Sequence, residues 1–172
     1  MNYFYLFCCT FFTLNLNAQI ELPELFSTQL KQLNADIFRP LDAGYKTISI
    51  TGEDYVPAQF AIYSRQEKME IRYYARTYQE LGYFADSPHV DASRIVMNTA
   101  TNYGELATTV HSFAPEDRKT LGADWAKLFT FKPKTGFSQS EYSQMIAIYK
   151  ENVGIIYIFL LFNDAPETLD AR

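Results

Sequence analysis

The chain has 172 residues, with 20 acidic and 15 basic side chains and a formal net charge of −5 at pH 7. An acidic chain is poorly matched to nucleic acid or to an anionic membrane surface, so neither is expected as a partner. The two cysteines, Cys8 and Cys9, both lie near the N-terminus. The rest of the chain therefore offers no disulfide, no thiolate ligand and no cysteine nucleophile.

An uncharged apolar run occupies residues 3–14 and is followed by the small residue Ala18. This pattern is typical of a secretory signal peptide cleaved after residue 18. The run is shorter than the roughly 20 residues that a membrane span needs, and a retained membrane anchor is the alternative. We expect residues 1–18 to be a signal peptide and residues 19–172 to form one domain. The mature protein would be periplasmic or secreted, with no transmembrane segment.

Apolar residues recur with the helical period from Leu22 to Ile37, and polar residues stand between them. Pro23 suits the first turn of a helix, and Pro40 ends it. The pattern predicts an amphipathic helix over residues 23–38 that lies on an apolar surface.

From Tyr45 onward, apolar and polar residues alternate with the period of two that is typical of strands. Three such runs follow one another, and the clearest begins at Met69. They predict an antiparallel meander with one buried face and one solvent-facing face. On the third run the residues expected to face solvent are Glu70, Arg72, Tyr74 and Arg76.

The middle of the chain predicts a loop over residues 77–90 and then a helix capped by Asp91. The buried stripe of that helix is expected to consist of Ala92, Ile95, Val96, Thr99 and Ala100, and residues 102–104 end it. A strand near residues 106–113 follows. Pro115 then starts a short helix whose inner face carries Leu121 and Trp125.

A strand over residues 127–132 is closed by Pro133. Residues 142–149 and 155–162 are predicted to form a hairpin across a loop whose Asn152 and Gly154 can adopt positive φ. A helix over residues 140–151 is the alternative. Because residues 155–162 are apolar on both faces, they are expected to form a central strand. The whole order of elements predicts a single α+β domain, in which helices flank a largely antiparallel sheet of about six or seven strands as a three-layer α/β/α sandwich.

Four short patterns accompany this order of elements. They are Met69-Glu70-Ile71-Arg72-Tyr73, Ala123-Asp124-Trp125, Phe131-Lys132-Pro133-Lys134 and Asn152-Val153-Gly154. Over most of residues 20–164 the chain resembles the Mog1/PsbP-like group of exported α/β/α domains, and it is similar to uncharacterised exported bacterial proteins. The resemblance implies architecture only, because no defining catalytic or ligand motif stands in this sequence to receive functional residues.

One group of aromatic and basic residues is denser than a plain loop requires. Its members are Arg72, Tyr74, Arg76, Tyr78, Tyr83 and Phe84. Tyrosine and arginine are enriched where proteins contact partners, and an aromatic ring can also stack on a sugar. We therefore expect this group to form a binding surface.

A second group, Asp86, His89 and Asp91, places a histidine between two carboxylates. Such a set could hold a divalent metal or move a proton, although Asp91 is also explained as a helix cap.

The chain contains no complete catalytic, metal or nucleotide motif. We expect an exported non-enzymatic domain without a cofactor that binds an envelope protein, a glycan or a small ligand. One alternative is a hydrolase or metal-assisted enzyme centred on Asp86, His89 and Asp91. Another is a structural accessory of an envelope assembly.

Overall fold

A computed structural model of the chain describes residues 20–37, 43–52, 54–101 and 108–164. The predicted signal peptide and the predicted helix end at residues 102–104 lie outside these residues. The strands are β1 (Lys46–Thr47), β2 (Phe60–Ser64), β3 (Met69–Thr77), β4 (Thr109–Ser112), β5 (Trp125–Phe131), β6 (Tyr142–Lys150) and β7 (Gly154–Phe162). The helices are α1 (Glu24–Gln32), α2 (Tyr78–Leu81), α3 (Pro88–Thr99) and α4 (Pro115–Thr120), with a 3₁₀ helix at Gly82–Phe84.

All seven strands belong to one open antiparallel sheet with the order β1-β2-β3-β7-β6-β5-β4. β7 lies in the middle, where Ile158 pairs with Tyr73 on one side and with Ile146 on the other. The predicted central strand and the predicted hairpin are therefore confirmed, and the alternative helix over residues 140–151 is wrong. The prediction of an α+β domain with about six or seven antiparallel strands is also confirmed.

α1 covers one face of the sheet through an aromatic stack. The ring centroids of Phe26 and Phe60 are 5.8 Å apart, and those of Phe60 and Tyr73 are 5.7 Å apart. The helix ends at Gln32 rather than near residue 38, because Asn34 adopts the left-handed conformation with φ of 48°, a common way for a helix to end.

α3 covers the opposite face, so helices lie on both sides of the sheet as predicted. Its buried stripe includes Ala92, Ile95 and Val96, and it forms one core cluster with Met145 and Tyr157. The prediction that Glu70, Arg72, Tyr74 and Arg76 face solvent is therefore wrong. These side chains are buried or half-buried, because α3 and the chain around residue 137 pack over this face of the sheet.

Four local predictions also need correction. Residues 77–90 are not a loop, because a capping box at Thr77 begins α2. α3 begins at Pro88, a favoured first residue, so Asp91 lies inside its first turn and does not cap it. Trp125 is the first residue of β5 and not part of the inner face of α4. The first of the three alternating runs forms a strand of only two residues, β1.

Candidate functional site

The candidate site is built where β3 leaves the sheet and the chain turns into α2. Thr77 Oγ1 accepts a hydrogen bond from Glu80 N at 3.4 Å, and the Glu80 carboxylate accepts one from Thr77 N at 2.7 Å. Gln29 Nε2 on α1 donates to the same carboxylate at 2.8 Å. Burial alone would raise the pKa of Glu80, but the hydrogen bonds from Thr77 and Gln29 outweigh burial and lower it. The first turn of α2 is therefore attached to α1.

Behind this turn, the side chain of Asp91 is completely buried. Its Oδ2 accepts hydrogen bonds from Arg76 Nη1 at 3.0 Å and from Tyr157 Oη at 2.8 Å. Its Oδ1 accepts from Arg94 Nη2 at 2.6 Å and from Arg94 Nε at 3.2 Å. A buried carboxylate is tolerated when charged donors satisfy it in this way. The network joins α3 to β3 and β7 and holds two guanidinium groups in place.

Tyr157 and Tyr74 form the apolar side of this network. Their rings stack with centroids 5.9 Å apart and an angle of 20° between the planes. Burial raises the pKa of the Tyr157 hydroxyl, and the neighbouring Asp91 carboxylate raises it further. The phenol therefore remains a proton donor to Asp91 throughout the physiological pH range.

The outer part of the site, which we call the aromatic surface, consists of Tyr78, Tyr83, Phe84 and Arg94. Tyr83 and Arg94 are exposed, and Tyr78 and Phe84 are half-buried. Tyr83 is 92% exposed and meets the Phe84 ring edge to face, with centroids 5.7 Å apart and an angle of 82°. The Arg94 guanidinium carbon lies 5.3 Å from the centroid of Phe84. Because Asp91 anchors that guanidinium, the ring beneath it is held by a cation–π contact.

Tyr78 is fixed at its hydroxyl, which donates a hydrogen bond of 2.6 Å to Asp86 Oδ1. This hydrogen bond raises the pKa of the Tyr78 hydroxyl. The structure thus brings together five of the six predicted binding residues: Tyr74, Arg76, Tyr78, Tyr83 and Phe84.

Arg72 is the exception, because it lies in the core with only 2% of its surface exposed. Its Nη1 donates to the carbonyl oxygens of Thr51 at 2.7 Å and Phe137 at 3.0 Å, and its Nε pairs with Glu70. The guanidinium carbon also lies 4.9 Å from the centroid of the Phe137 ring. The prediction that Arg72 faces solvent is therefore wrong. Its donors hold the segments that contain Thr51 and Phe137 against the sheet.

The predicted metal set of Asp86, His89 and Asp91 is not assembled. Asp91 is buried and its two oxygens are bonded to cationic and phenolic donors, whereas Asp86 and His89 are exposed. In the part of the chain that the structure describes, no group of three or more His, Cys, Asp or Glu residues is arranged to hold a metal ion.

A polar pocket of about 360 Å³ shares Tyr78 with the aromatic surface. Its lining consists of Gln32, Thr77, Tyr78, Gln79, Asn152 and Val153. None of the three amides among them was predicted as a site residue. They come from the end of α1, from α2 and from the turn between β6 and β7, and only the folded topology brings these segments together.

Comparison of the chain with protein-family models, with curated proteins and with solved structures finds no match. The resemblance to Mog1/PsbP-like domains therefore stays a prediction. Of the helices that the structure describes, none has both the length and the apolar character needed to cross a membrane.

Proposed function

We propose that the chain is an exported, non-enzymatic binding module whose partner contacts the aromatic surface. The observation that carries this proposal is the exposure of Tyr83 beside Phe84, on a framework that Arg94 and Asp91 hold in place. Contiguous exposed apolar groups mark interaction sites, and tyrosine and arginine are enriched among the residues that dominate binding there.

The framework reduces the cost of binding. Tyrosine has few rotatable bonds, so a contact through Tyr83 loses little side-chain entropy. The Phe84 ring beneath it is already fixed between Tyr83 and the Arg94 guanidinium. A partner would therefore bind a surface that is already ordered. Less conformational entropy is lost on binding to such a surface, and the affinity is higher.

The buried network supports a binding role over a hydrolase centred on Asp86, His89 and Asp91. A general base must be able to reach the proton that it removes. Asp91 is completely buried, and both of its carboxylate oxygens accept hydrogen bonds from Arg76, Arg94 and Tyr157. Its geometry suits it to holding the aromatic surface rather than to meeting a substrate.

The apolar run at residues 3–14 supports export, and with it a partner in the cell envelope. The proposal can be tested by immobilising the purified protein and exposing it to an envelope extract of the native host. We expect Tyr83→Ala to abolish capture of a species that the wild-type protein retains. Leu25→Ala, which removes an 87% exposed side chain from α1, is the matched control and should retain capture. Equal capture by wild type and Tyr83→Ala would rule out the aromatic surface.

A further inference from the structure

Hydrogen bonds connect the three segments that line the pocket beside Tyr78. Gln29 joins α1 to α2 through the Glu80 carboxylate at 2.8 Å, and Tyr78 N donates to Val153 O at 2.8 Å, which joins α2 to the turn between β6 and β7. The strand after that turn is tied to β3, because Gly154 pairs with Thr77. The three segments that line the pocket are therefore fixed relative to one another.

Gly154 lies so close to its neighbours that the turn has no room for a side chain at this position. A Cβ added there would lie 2.2 Å from Arg76 O and 2.6 Å from Leu33 Cδ2. Asn152 completes the turn in the left-handed conformation, with φ of 59°. The turn thereby places Asn152 among the residues that line the pocket.

The groups that face the pocket are neutral. Gln32, Gln79 and Asn152 are exposed, and none of their side chains makes a hydrogen bond to the described part of the chain. An amide both donates and accepts hydrogen bonds, as a sugar hydroxyl does. The lining contains no charged side chain, so a charged ligand would lose its hydration without gaining a counter-charge.

Tyr78 is the aromatic residue among those that line the pocket. Its side chain packs against the core cluster on the α3 face of the sheet. The hydrogen bond from its hydroxyl to Asp86 restricts the rotation of the ring. An aromatic residue together with neutral hydrogen-bonding groups is a composition that suits a sugar, which has both apolar and hydroxyl-bearing surfaces.

We propose that this pocket binds an uncharged glycan. The inference rests on the proposed binding function, names the chemical class of its ligand, and extends the aromatic surface through Tyr78 to the amides of Gln32, Gln79 and Asn152. The volume of about 360 Å³ lies at the lower end of the range of small-molecule sites, which suits a short stretch of a longer chain.

The test is calorimetric titration of the purified full chain with three neutral oligosaccharides: chitohexaose, cellohexaose and maltohexaose. Hexagalacturonate and hexaglucosamine serve as anionic and cationic comparators. We expect at least one neutral hexamer to bind and both charged hexamers to bind more weakly or not at all. Preferential binding of a charged hexamer, or no binding of any neutral one, would overturn the inference.

Variants then locate the binding. Asn152→Gly keeps a backbone that tolerates positive φ, and Gln79→Ala replaces an exposed helical residue by the best helix former. Each is expected to lower the affinity for the bound hexamer by about threefold to tenfold, the range for loss of one net hydrogen bond. The control Gln66→Ala removes an exposed amide from the turn between β2 and β3, far from the pocket lining, and should leave affinity unchanged.

The glycan inference and the proposed function can fail separately. If no neutral hexamer binds but capture from the envelope extract still depends on Tyr83, the glycan inference fails and the aromatic surface stands. If a neutral hexamer binds with dependence on Asn152 while Tyr83→Ala leaves all capture intact, the pocket stands and the aromatic surface fails. Binding that is unchanged in both Asn152→Gly and Gln79→Ala places the glycan elsewhere and overturns the inference.

Discussion

Tyr157 on β7 donates a hydrogen bond of 2.8 Å to the fully buried Asp91 on α3, across 66 residues of sequence. This contact joins the central strand of the sheet to the helix that holds the aromatic surface. Asp91 also binds the two guanidinium groups of Arg76 and Arg94, so one carboxylate connects the core of the domain with its candidate binding surface.

Removing the phenol should weaken this connection. Tyr157→Phe is expected to lower the free energy of unfolding by about 1.5–3 kcal/mol, the range for a hydrogen bond to a charged group. Asp91→Asn should cost at least as much, because the half-buried Arg76 loses its counter-charge, although solvent screens the loss at the exposed Arg94. Urea denaturation measures both. Tyr63→Phe on β2 is the control, since no hydrogen bond of the Tyr63 hydroxyl is present within the described residues. Equal free energies of unfolding for Tyr157→Phe and Tyr63→Phe would contradict the expectation.

Replacement of Arg72 by lysine should destabilise the fold although the charge is kept. The planar guanidinium reaches the carbonyl oxygens of Thr51 and Phe137 and also the Glu70 carboxylate, and one ammonium group cannot span all three. We expect Arg72→Lys to lower the free energy of unfolding by about 1–3 kcal/mol, because a buried acceptor is left without a donor. Arg65→Lys, in the exposed turn after β2, should stay within about 0.5 kcal/mol of wild type; a similarly small effect at residue 72 would argue against its role in the core.

The turn between β6 and β7 should not accept a methyl group at Gly154. The added Cβ would lie 2.2 Å from Arg76 O, and φ of 147° is unfavourable for other residues. Gly122 also has positive φ, but nothing lies within 4 Å of a Cβ placed there. Gly122→Ala should therefore cost only about 1–2 kcal/mol for the backbone conformation, and Gly154→Ala should cost clearly more. Equal losses in thermal or urea unfolding would show that the turn is free to move.

The capping box of α2 should make stability depend on pH. The pKa of Glu80 is lower in the folded protein than its ordinary value, so the unfolded chain binds the proton more tightly and stability rises with pH in this window. The contribution is fully present above about pH 4.3, the unfolded value, and is lost as pH falls through the lower folded value. Glu80→Gln should therefore differ most from wild type near pH 6 and converge with it near pH 3.

Melting temperatures between pH 3 and pH 6 measure this difference. Thr77→Ser keeps the hydroxyl that bonds the Glu80 carboxylate and should retain the wild-type profile. Parallel curves for wild type and Glu80→Gln would show that these hydrogen bonds do not favour the ionised carboxyl.

Much of the sheet could be predicted, because the sequence pattern that indicates a strand lies within the strand itself. The alternation around Ile71 and the apolar run that contains Ile158 each reflect burial on identifiable faces, and the predicted pairings of β2 with β3 and of β6 with β7 are confirmed. The end of α1 was misplaced because Leu33 and Ile37 keep the helical spacing and are buried, although Asn34 has already left the helix. Periodicity reports burial and does not report which backbone conformation achieves it.

The site was only partly predictable for a similar reason. The aromatic residues near Tyr83 stand out in the sequence, but a charged residue such as Arg72 is assigned to solvent unless its buried partners are known. Those partners, Thr51 and Phe137, are distant in sequence. Asp91 likewise has the sequence context of a helix cap, and its contact with Tyr157 depends on a strand 66 residues away.

The most direct test of the binding surface places a photoreactive benzoylphenylalanine at residue 83 in the native host. The photoreactive side chain replaces a tyrosine that is 92% exposed, so the fold should be retained. We expect irradiation to give a discrete covalent adduct from residue 83 and none from the same group at Leu25, which is equally exposed on α1. Absence of an adduct at residue 83, or the same adducts from both positions, would contradict a binding function at the aromatic surface.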